Sequence, residues 1–439
     1  MTAQKEALNQ QILCLLPPPC PVTMGKAPQC CPQFHGEDLK VITQSLRKSD
    51  NTVALKYNIR SMNSRFISSM SITRLKYLDG LRGVFALTVA LSHFFGSQYN
   101  WHNYPFQNAY ISVDFFFILS GFVLSHVYSQ AISSGLMSDR KFIFYRFARM
   151  YPLHIATMAI VGIIYLLTLR GFPFDEPLIS GIANIFLLQN MGFVNNWNWN
   201  DPSWSISVEF WVSVFLVPWC IRRVKTNMLL FISLMCYTVL YTSFGSLMVA
   251  HEMMYGIVTS GFVRCIAGVT LGIAVCRMTQ GIRQVELNHM QKSIIGCIDV
   301  ILFVTVVYLV YQKNPIGKFS FLPIPLIALL ILSLATLSSW FHQVISSRIP
   351  TWFGDISYSV YLIHTPIILI MGAALSPLNL PFVIKLLVFV ALTLFLSQLT
   401  HRFFEKPCYE WLKKRFSDQS QTNVKEIKLK EEKKFANQR

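Results

Sequence analysis

Charged side chains are scarce in this sequence. They make up 13% of its 439 residues, whereas hydrophobic residues make up 53%. Soluble globular domains contain about 25% charged residues, so this composition argues against an ordinary soluble enzyme. Apolar runs of about 20 residues, the length that a helix needs to cross a bilayer, recur between Leu81 and Phe404. The composition and the runs together predict an all-α polytopic integral membrane protein.

Acidic residues are the scarcer of the two charged classes, with 21 Asp and Glu against 38 Lys and Arg, and the formal net charge is +17. Such a surplus would suit a protein that binds nucleic acid. Here the basic residues lie mostly at the ends of apolar runs and in the two tails, where they act as topology signals. We therefore expect a lipid bilayer, and no nucleic acid, as a partner of this chain.

The C-x-x-C motif and a recognisable signal peptide are both missing. The ten cysteines form no C-x-x-C pair; four lie in the polar N-terminal segment and most of the others within apolar runs. This pattern predicts neither a disulfide framework nor a metal site. Residues 1–73 contain no span and are predicted to be a disordered N-terminal extension. Met62 and Met70 stand shortly before the first span, so it stays open whether the extension belongs to the native protein.

Ten apolar runs qualify as membrane spans, and an eleventh stretch, 178–193, is short and ends in polar residues. If this stretch were a span, the basic cluster at Arg222 would lie on the opposite side from the cluster at Arg140. If it is re-entrant or interfacial, the basic clusters all fall on one side, as the positive-inside rule favours. The ten runs are 81–97, 107–128, 148–169, 204–221, 228–246, 259–276, 294–311, 323–340, 353–375 and 382–404.

The charge bias thus predicts about ten transmembrane helices, both termini in the cytoplasm, and one short re-entrant or interfacial segment near 178–193. The transmembrane domain is expected to cover residues 74–408. A basic cytoplasmic tail, 409–439, follows it.

Arg82 and His93 are the first ionisable residues that need an explanation inside a span, because such a group costs at least about 2.5–3.5 kcal/mol to insert. They are eleven residues apart. That spacing is three helical turns, so both side chains share a helix face about 16 Å apart along the axis. The alternative is that both residues are only structural. Arg82 would then extend to the lipid headgroups, and His93 would form a hydrogen bond to another helix.

Arg146 and Arg149 lie three residues apart at the expected cytoplasmic mouth of the third span and share a helix face. Two planar guanidinium groups suit a phosphorylated ligand, because each can hold phosphate oxygens in a bidentate way. Plain anchoring under the positive-inside rule is the alternative.

The segment WSISVEFW leads into the fourth span on the expected outer side. Its Ser205, Ser207 and Glu209 recur at two-residue steps, with Trp204 and other tryptophans around them. Aromatic faces with polar groups between them suit a sugar, although a tryptophan belt and helix capping are the structural alternatives. Other polar residues within apolar runs are Asp114, Arg264, Asp355 and His364.

Six motifs resemble the membrane-bound acyltransferase family 3, which includes O-acetyltransferases of bacterial O-antigen, peptidoglycan and exopolysaccharide. The likeness covers about residues 74–408. Its motifs stand here as YLDGLRGVFALTVALSHFF, with the Arg-x10-His of Arg82 and His93, then DFFFILSGFVLS, the Arg-x2-Arg of Arg146 and Arg149 in RFARMYPLH, WSISVEFW, FGDISYSVYLIHTP and HRFFEKP.

The resemblance implies transfer of an acyl group, usually acetyl from acetyl-CoA, to a hydroxyl of a glycan or lipid-linked saccharide at the plasma membrane. It implicates the Arg-x10-His and Arg-x2-Arg residues. Some family members carry a fused extracytoplasmic domain, whereas about 30 basic-rich residues follow Pro407 here. It stays open whether a partner protein completes acceptor transfer. Expected roles are catalytic for His93, Arg82 and Glu209; donor-binding for Arg146, Arg149 and Arg82; and acceptor-binding for Ser205, Ser207, Trp204, Asp114 and His364.

Several rival chemistries lack their motifs, since G-x-S-x-G, H-E-x-x-H, G-x-G-x-x-G and an acyltransferase His-x4-Asp are absent. A transporter or flippase for a polar metabolite is the main alternative, because buried Arg, His and Glu also mark translocation paths. The paired short, broken spans typical of inverted-repeat carriers are not evident. The acceptor, the acyl chain length, and general-base versus acyl-histidine chemistry stay open.

Overall fold

The computed structural model describes residues 74–194, 199–282, 287–375 and 378–416, all of which fall in one compact unit. The predicted N-terminal extension and the tail beyond Phe416 lie outside these described residues. In chain order the helices are α1 (Lys76–Gln98), α2 (Ile111–Ser133), α3 (Asp139–Thr168), α4 (Pro177–Ile185), α5 (Ser203–Arg223), α6 (Thr226–Phe244), α7 (Ser260–Gly281), α8 (His289–Tyr311), α9 (Pro323–Thr336), α10 (Trp340–Ile345), α11 (Arg348–Leu375) and α12 (Phe382–Thr400).

Within the described chain, ten segments are long and apolar enough to cross a membrane. They are α1, α2, α3, α5, α6, α7, α8 and α11, the segment Gly317–Thr336 that contains α9, and the segment Phe382–Phe416 that contains α12. A two-residue pair of strands, β1 (Met253–Met254) and β2 (Val258–Thr259), forms a small antiparallel hairpin before α7. The predicted all-helical, ten-span class is confirmed.

The ambiguous stretch 178–193 begins with α4, which has only nine residues. A helix of that length is about 13–14 Å long, less than half of the hydrocarbon thickness of about 30 Å. Its polar end is held inside the protein: the side-chain amide of Gln189 donates to the carbonyl oxygen of Ser203 at 3.0 Å, and that of Asn190 to Ala250 at 3.0 Å. The stretch is therefore not an eleventh span.

Glycines allow two pairs of spans to pack with their backbones nearly in contact. A Cβ atom at Gly272 of α7 would lie 1.9 Å from the carbonyl oxygen of Ile118 in α2. One at Gly354 of α11 would lie 2.1 Å from the carbonyl oxygen of Asp79 in α1. Membrane helices associate largely through such close packing, because lipid is as apolar as their side chains. The α1–α11 contact brings the Arg-x10-His helix against the FGDISYSVYLIHTP helix.

Asp114 and Arg264 form a fully buried ion pair between α2 and α7, with 2.6 Å between Oδ2 and Nη2. The guanidinium also donates to the carbonyl oxygens of Val249 at 2.8 Å and Tyr110 at 3.0 Å, and lies 5.6 Å from the ring centroid of Trp204. Two polar residues that stand alone in the sequence thus neutralise each other. Loss of one partner would leave an uncompensated buried charge.

Ion pairs and hydrogen bonds bring the basic ends of several helices to one face of the bundle. Arg222 at the end of α5 pairs with Asp139 at the start of α3. Arg277 near the end of α7 donates to the carbonyl oxygen of Cys220 in α5 at 2.9 Å. Arg74 before α1 pairs with Asp355 near the start of α11. This shared face agrees with the charge-bias argument, while the side of the membrane on which it lies stays a prediction.

Candidate active site

A cavity of about 200 Å³ lies among α1, α2, α3, α5 and α11. Its wall contains the arginines of both family-like motifs, Arg82, Arg146 and Arg149, together with Glu209, Ser205 and Tyr361. The three arginines lie in the N-terminal halves of α1 and α3, which begin at the basic face. Ser205 lies at the start of α5, the helix whose other end reaches the basic face. The cavity therefore connects groups that the sequence assigned to different sides of the membrane.

Arg146 is held by α5. Its Nη2 lies 2.7 Å from Oε1 of Glu209, and its Nε donates to Oγ of Ser213 at 3.0 Å. Ser120 of α2 also donates to Oε1 of Glu209, at 2.8 Å. The sequence led us to expect Glu209 near the outer end of the fourth span, in a catalytic role. The structure places its carboxylate directly on Arg146, because the side chain lies two turns inside α5 from its polar start.

Arg149 forms an ion pair with Glu405, a nearly fully buried carboxylate in a π-helical turn, His401–Glu405, that follows α12. Glu405 also accepts hydrogen bonds from Ser359 at 2.7 Å and from His401 at 3.3 Å. The guanidinium lies 5.4 Å from the ring centroid of Tyr358. Glu405 was not among the expected site residues, although it stands in the HRFFEKP motif; π-helical turns often mark functional sites.

Of the three arginines, Arg82 lies farthest from its carboxylate partner. Its only ion pair among the described residues joins Nη1 to Oδ1 of Asp79 at 3.4 Å, and Asp79 is already bound by Arg74 at 2.6 Å. Its side chain is 27% exposed. Arg146 and Arg149 each have a carboxylate of their own, whereas Arg82 shares Asp79 with Arg74 and keeps free donors among the described residues. Such a site suits an anionic ligand.

His93 pairs with His364 across the α1–α11 contact, with 2.8 Å between Nδ1 of His93 and Nε2 of His364. His364 is fully buried, and its Nδ1 lies 3.0 Å from the carbonyl oxygen of Val360. His93 is partly exposed and does not line the cavity of about 200 Å³. The ring of Tyr361, which does line it, lies 6.2 Å from that of His364. The histidine pair therefore adjoins the cavity through Tyr361.

The expected acceptor-side residues separate into two groups. Ser205 lines the cavity and its Oγ lies 2.7 Å from the hydroxyl of Tyr361. Ser207 donates to the carbonyl oxygen of Leu187 at 2.6 Å and does not line the cavity. Trp204 and Asp114 pack against Arg264 and also lie outside the lining. Only Ser205 of this set joins the arginines and Glu209 in one wall.

Comparison with known proteins gives one family and several relatives. The family model described as "Acyltransferase domain" matches residues 75–402. YrhL of Bacillus subtilis is 25% identical over 363 residues, which cover 75% of this chain and 54% of that protein. The peptidoglycan O-acetyltransferase OatA of Listeria monocytogenes is 25% identical over 359 residues, covering 75% of this chain and 55% of that protein.

A third relative, the acyltransferase MdmB of Streptomyces mycarofaciens, is 32% identical over 163 residues, covering 34% of this chain and 38% of that protein. The chain spans about half the length of YrhL and OatA. No solved structure matches. The family match extends from the start of α1 into the π-helical turn and includes every residue that lines the cavity, and this multi-pass membrane protein belongs to the acyltransferase family 3.

Proposed function

We propose that this chain is a plasma-membrane O-acyltransferase that moves an acyl group, most simply acetyl, from cytoplasmic acyl-CoA to a hydroxyl of a cell-surface glycan or a lipid-linked saccharide. The observation that carries the proposal is the gathering of Arg82, Arg146 and Arg149 on one cavity that reaches inward from the basic face of the bundle. The family membership supports the reaction class. The name of OatA supports a glycan acceptor.

The assignment of the arginines to the acyl donor rests on charge. CoA carries several phosphate charges, and the positive-inside rule assigns the basic face to the cytoplasm, where CoA is found. Arg82 has free donors, and Arg146 and Arg149 are held in fixed orientations by Glu209 and Glu405. Guanidinium groups fixed in this way bind phosphate oxygens without first losing side-chain freedom.

The chemistry is assigned to His93. Its neutral imidazole takes the proton of the acceptor hydroxyl while the hydroxyl oxygen attacks the thioester carbonyl. The tetrahedral intermediate then expels CoA thiolate, which receives the same proton from the imidazolium. The products are the acyl ester and CoA thiol, and His93 is neutral again. The proposal places the meeting point of donor and acceptor at His93, about 16 Å beyond Arg82 along α1, where the histidine pair adjoins the cavity through Tyr361.

The acceptor end is assigned to Ser205 and Tyr361, whose hydroxyls are joined at 2.7 Å on the side of the cavity away from the basic face. Hydroxyls beside the aromatic rings of Phe116 and Tyr361 provide both hydrogen bonds and apolar faces for a sugar. Whether this chain releases the finished ester or passes the acyl group to a partner protein is decided by the acceptor found.

The test uses membrane vesicles that contain the full-length protein and acetyl-CoA labelled in the acetyl group. Label should appear in glycan or lipid-linked saccharide, and Arg82→Gln should lower incorporation with a raised KM for acetyl-CoA. Arg223→Gln, which changes an exposed arginine on the same face outside the cavity, is the matched control. No incorporation above vesicles without the protein, from acetyl-CoA or longer acyl-CoA, would contradict the proposal.

A further inference from the structure

The imidazole of His364 has no exposed surface and is fixed at both ring nitrogens. Its Nδ1 lies 3.0 Å from the carbonyl oxygen of Val360, one helical turn earlier in α11. Its Nε2 lies 2.8 Å from Nδ1 of His93. Because a carbonyl oxygen can only accept a hydrogen bond, Nδ1 of His364 must carry a hydrogen.

Burial determines whether Nε2 of His364 carries a hydrogen. No Asp or Glu within the described ranges contacts either histidine ring, and a charged imidazolium without a counter-ion is costly to bury. A neutral His364 with hydrogen on Nδ1 leaves a lone pair on Nε2. That lone pair can only accept, so Nδ1 of His93 must be the donor in the bond between the two rings.

We propose that His364 is a positioning residue that fixes His93 in the tautomer with hydrogen on Nδ1, so that Nε2 of His93 is the basic nitrogen. This inference deepens the proposed function and rests on it for its catalytic meaning. Among the described residues Nε2 of His93 has no hydrogen-bond partner, and its partly exposed ring lies 6.0 Å from the ring of Trp101.

Catalytic histidines are commonly oriented in this way, by a hydrogen bond from the ring nitrogen that does not take the proton to an accepting group. Here the orienting acceptor is a neutral imidazole, which is in turn oriented by the helix backbone. When Nε2 of His93 takes a proton, the charged ring keeps its Nδ1–H bond to His364. The lone pair of His364 therefore stabilises the imidazolium as well as selecting the tautomer.

Three substitutions separate positioning from packing. In His364→Gln the side-chain oxygen stands near the position of Nε2 and can still accept from His93. In His364→Asn the shorter amide stands near the position of Nδ1, where it can donate to Val360 but does not reach His93. In His364→Phe the ring is kept and both hydrogen bonds are lost.

The first readout is the nitrogen chemical shift of histidine in the full-length protein labelled with ¹⁵N-histidine, which distinguishes protonated from unprotonated ring nitrogens without any activity. Signals of His93 and His364 are assigned by their loss in His93→Gln and His364→Gln. We expect a protonated Nδ1 and an unprotonated Nε2 for both residues. A protonated Nε2 on His93 in the resting protein would overturn the inference even if acyl transfer is observed.

The second readout is acyl transfer with kcat and the donor KM measured separately. His364→Asn and His364→Phe should lower kcat by at least about tenfold, up to the about 10²–10⁴-fold that a general base contributes, with the donor KM unchanged. His364→Gln should keep most of the activity. Equal loss in the Gln and Asn variants would overturn the inference. If the unsubstituted protein transfers no acyl group, the proposed function fails, while the nitrogen shifts still decide the tautomer.

Discussion

Nη2 of Arg146 lies 2.7 Å from Oε1 of Glu209, although the two residues are 63 positions apart in the chain. Arg146 belongs to the basic end of α3, and Glu209 lies two turns inside α5 from the opposite face. Their contact joins the arginines expected to bind the donor to the WSISVEFW segment expected to bind the acceptor. A ligand that binds Arg146 must therefore either bind beside Glu209 or replace its carboxylate.

Removal of the charge of Glu209 should therefore destabilise the protein. Glu209→Gln keeps an acceptor for Ser120 but leaves Arg146, 12% exposed, without its counter-ion. We expect the free energy of unfolding in detergent to fall by about 1–3 kcal/mol, between the values for exposed and buried pairs. Glu410→Gln, at an exposed position, is the control. An unfolding midpoint equal to that of the control would show that the pair is not stabilising.

Arg149→Lys should weaken donor use although it keeps the positive charge. Lysine can pair with Glu405 but cannot offer two parallel N–H groups to a phosphate. The KM for acyl-CoA should rise, whereas Arg140→Lys, an exposed position at the start of the same helix, should leave it unchanged. Normal donor KM in Arg149→Lys would favour a purely anchoring role.

The topology can be tested with fused reporters. The pairing of Arg222 with Asp139 joins the end of α5 to the start of α3, and the charge bias assigns that face to the cytoplasm. A reporter fused after Arg223 should read as cytoplasmic, and one fused near Asn196 should read as external. Both reporters on the same side would contradict the ten-span arrangement.

Asp201, just before α5, should make stability depend on pH. Burial raises the pKa of its carboxyl from 3.8 to about 7, and its Oδ1 has no hydrogen-bond partner among the described residues. A carboxyl whose pKa is raised on folding binds more protons when folded, so stability falls as the pH rises from about 4 to about 7. Asp201→Asn removes this effect.

The unfolding midpoint of Asp201→Asn in detergent should therefore exceed that of the unsubstituted protein by a margin that grows from about pH 4 to about pH 7 and is constant above. Asp175→Asn, at an exposed position in the preceding loop, is the control. A margin for Asp201→Asn that does not vary with pH would mean that the carboxyl is not buried in an unfavourable environment.

Periodicity and charge bias were enough to predict the ten spans, because hydrophobic length and the placement of Lys and Arg are properties of each segment by itself. The same holds for the shared face of Arg82 and His93, which follows from helix geometry. These predictions needed no knowledge of which helices are neighbours.

Partners between helices could not be predicted in this way. His93 and His364 are 271 residues apart, and Arg149 and Glu405 are 256 apart. The sequence shows that Asp114 is an ionisable residue within an apolar run and not that Arg264 neutralises it. For that reason we expected Asp114 at a ligand, and the structure instead places it in an ion pair away from the cavity. Packing of α2 on α7 decides this, not the local sequence.

Acyl transfer by His93→Gln tests whether His93 is the general base. Glutamine keeps a polar side chain of similar length but cannot act as a base at neutral pH. Vesicles with this variant should contain the protein at normal levels and transfer labelled acetyl only at background, whereas vesicles with His126→Gln, an exposed position, should transfer normally. Transfer by His93→Gln at the rate of the unsubstituted protein would contradict this role, since the proton would then have to be taken by another group.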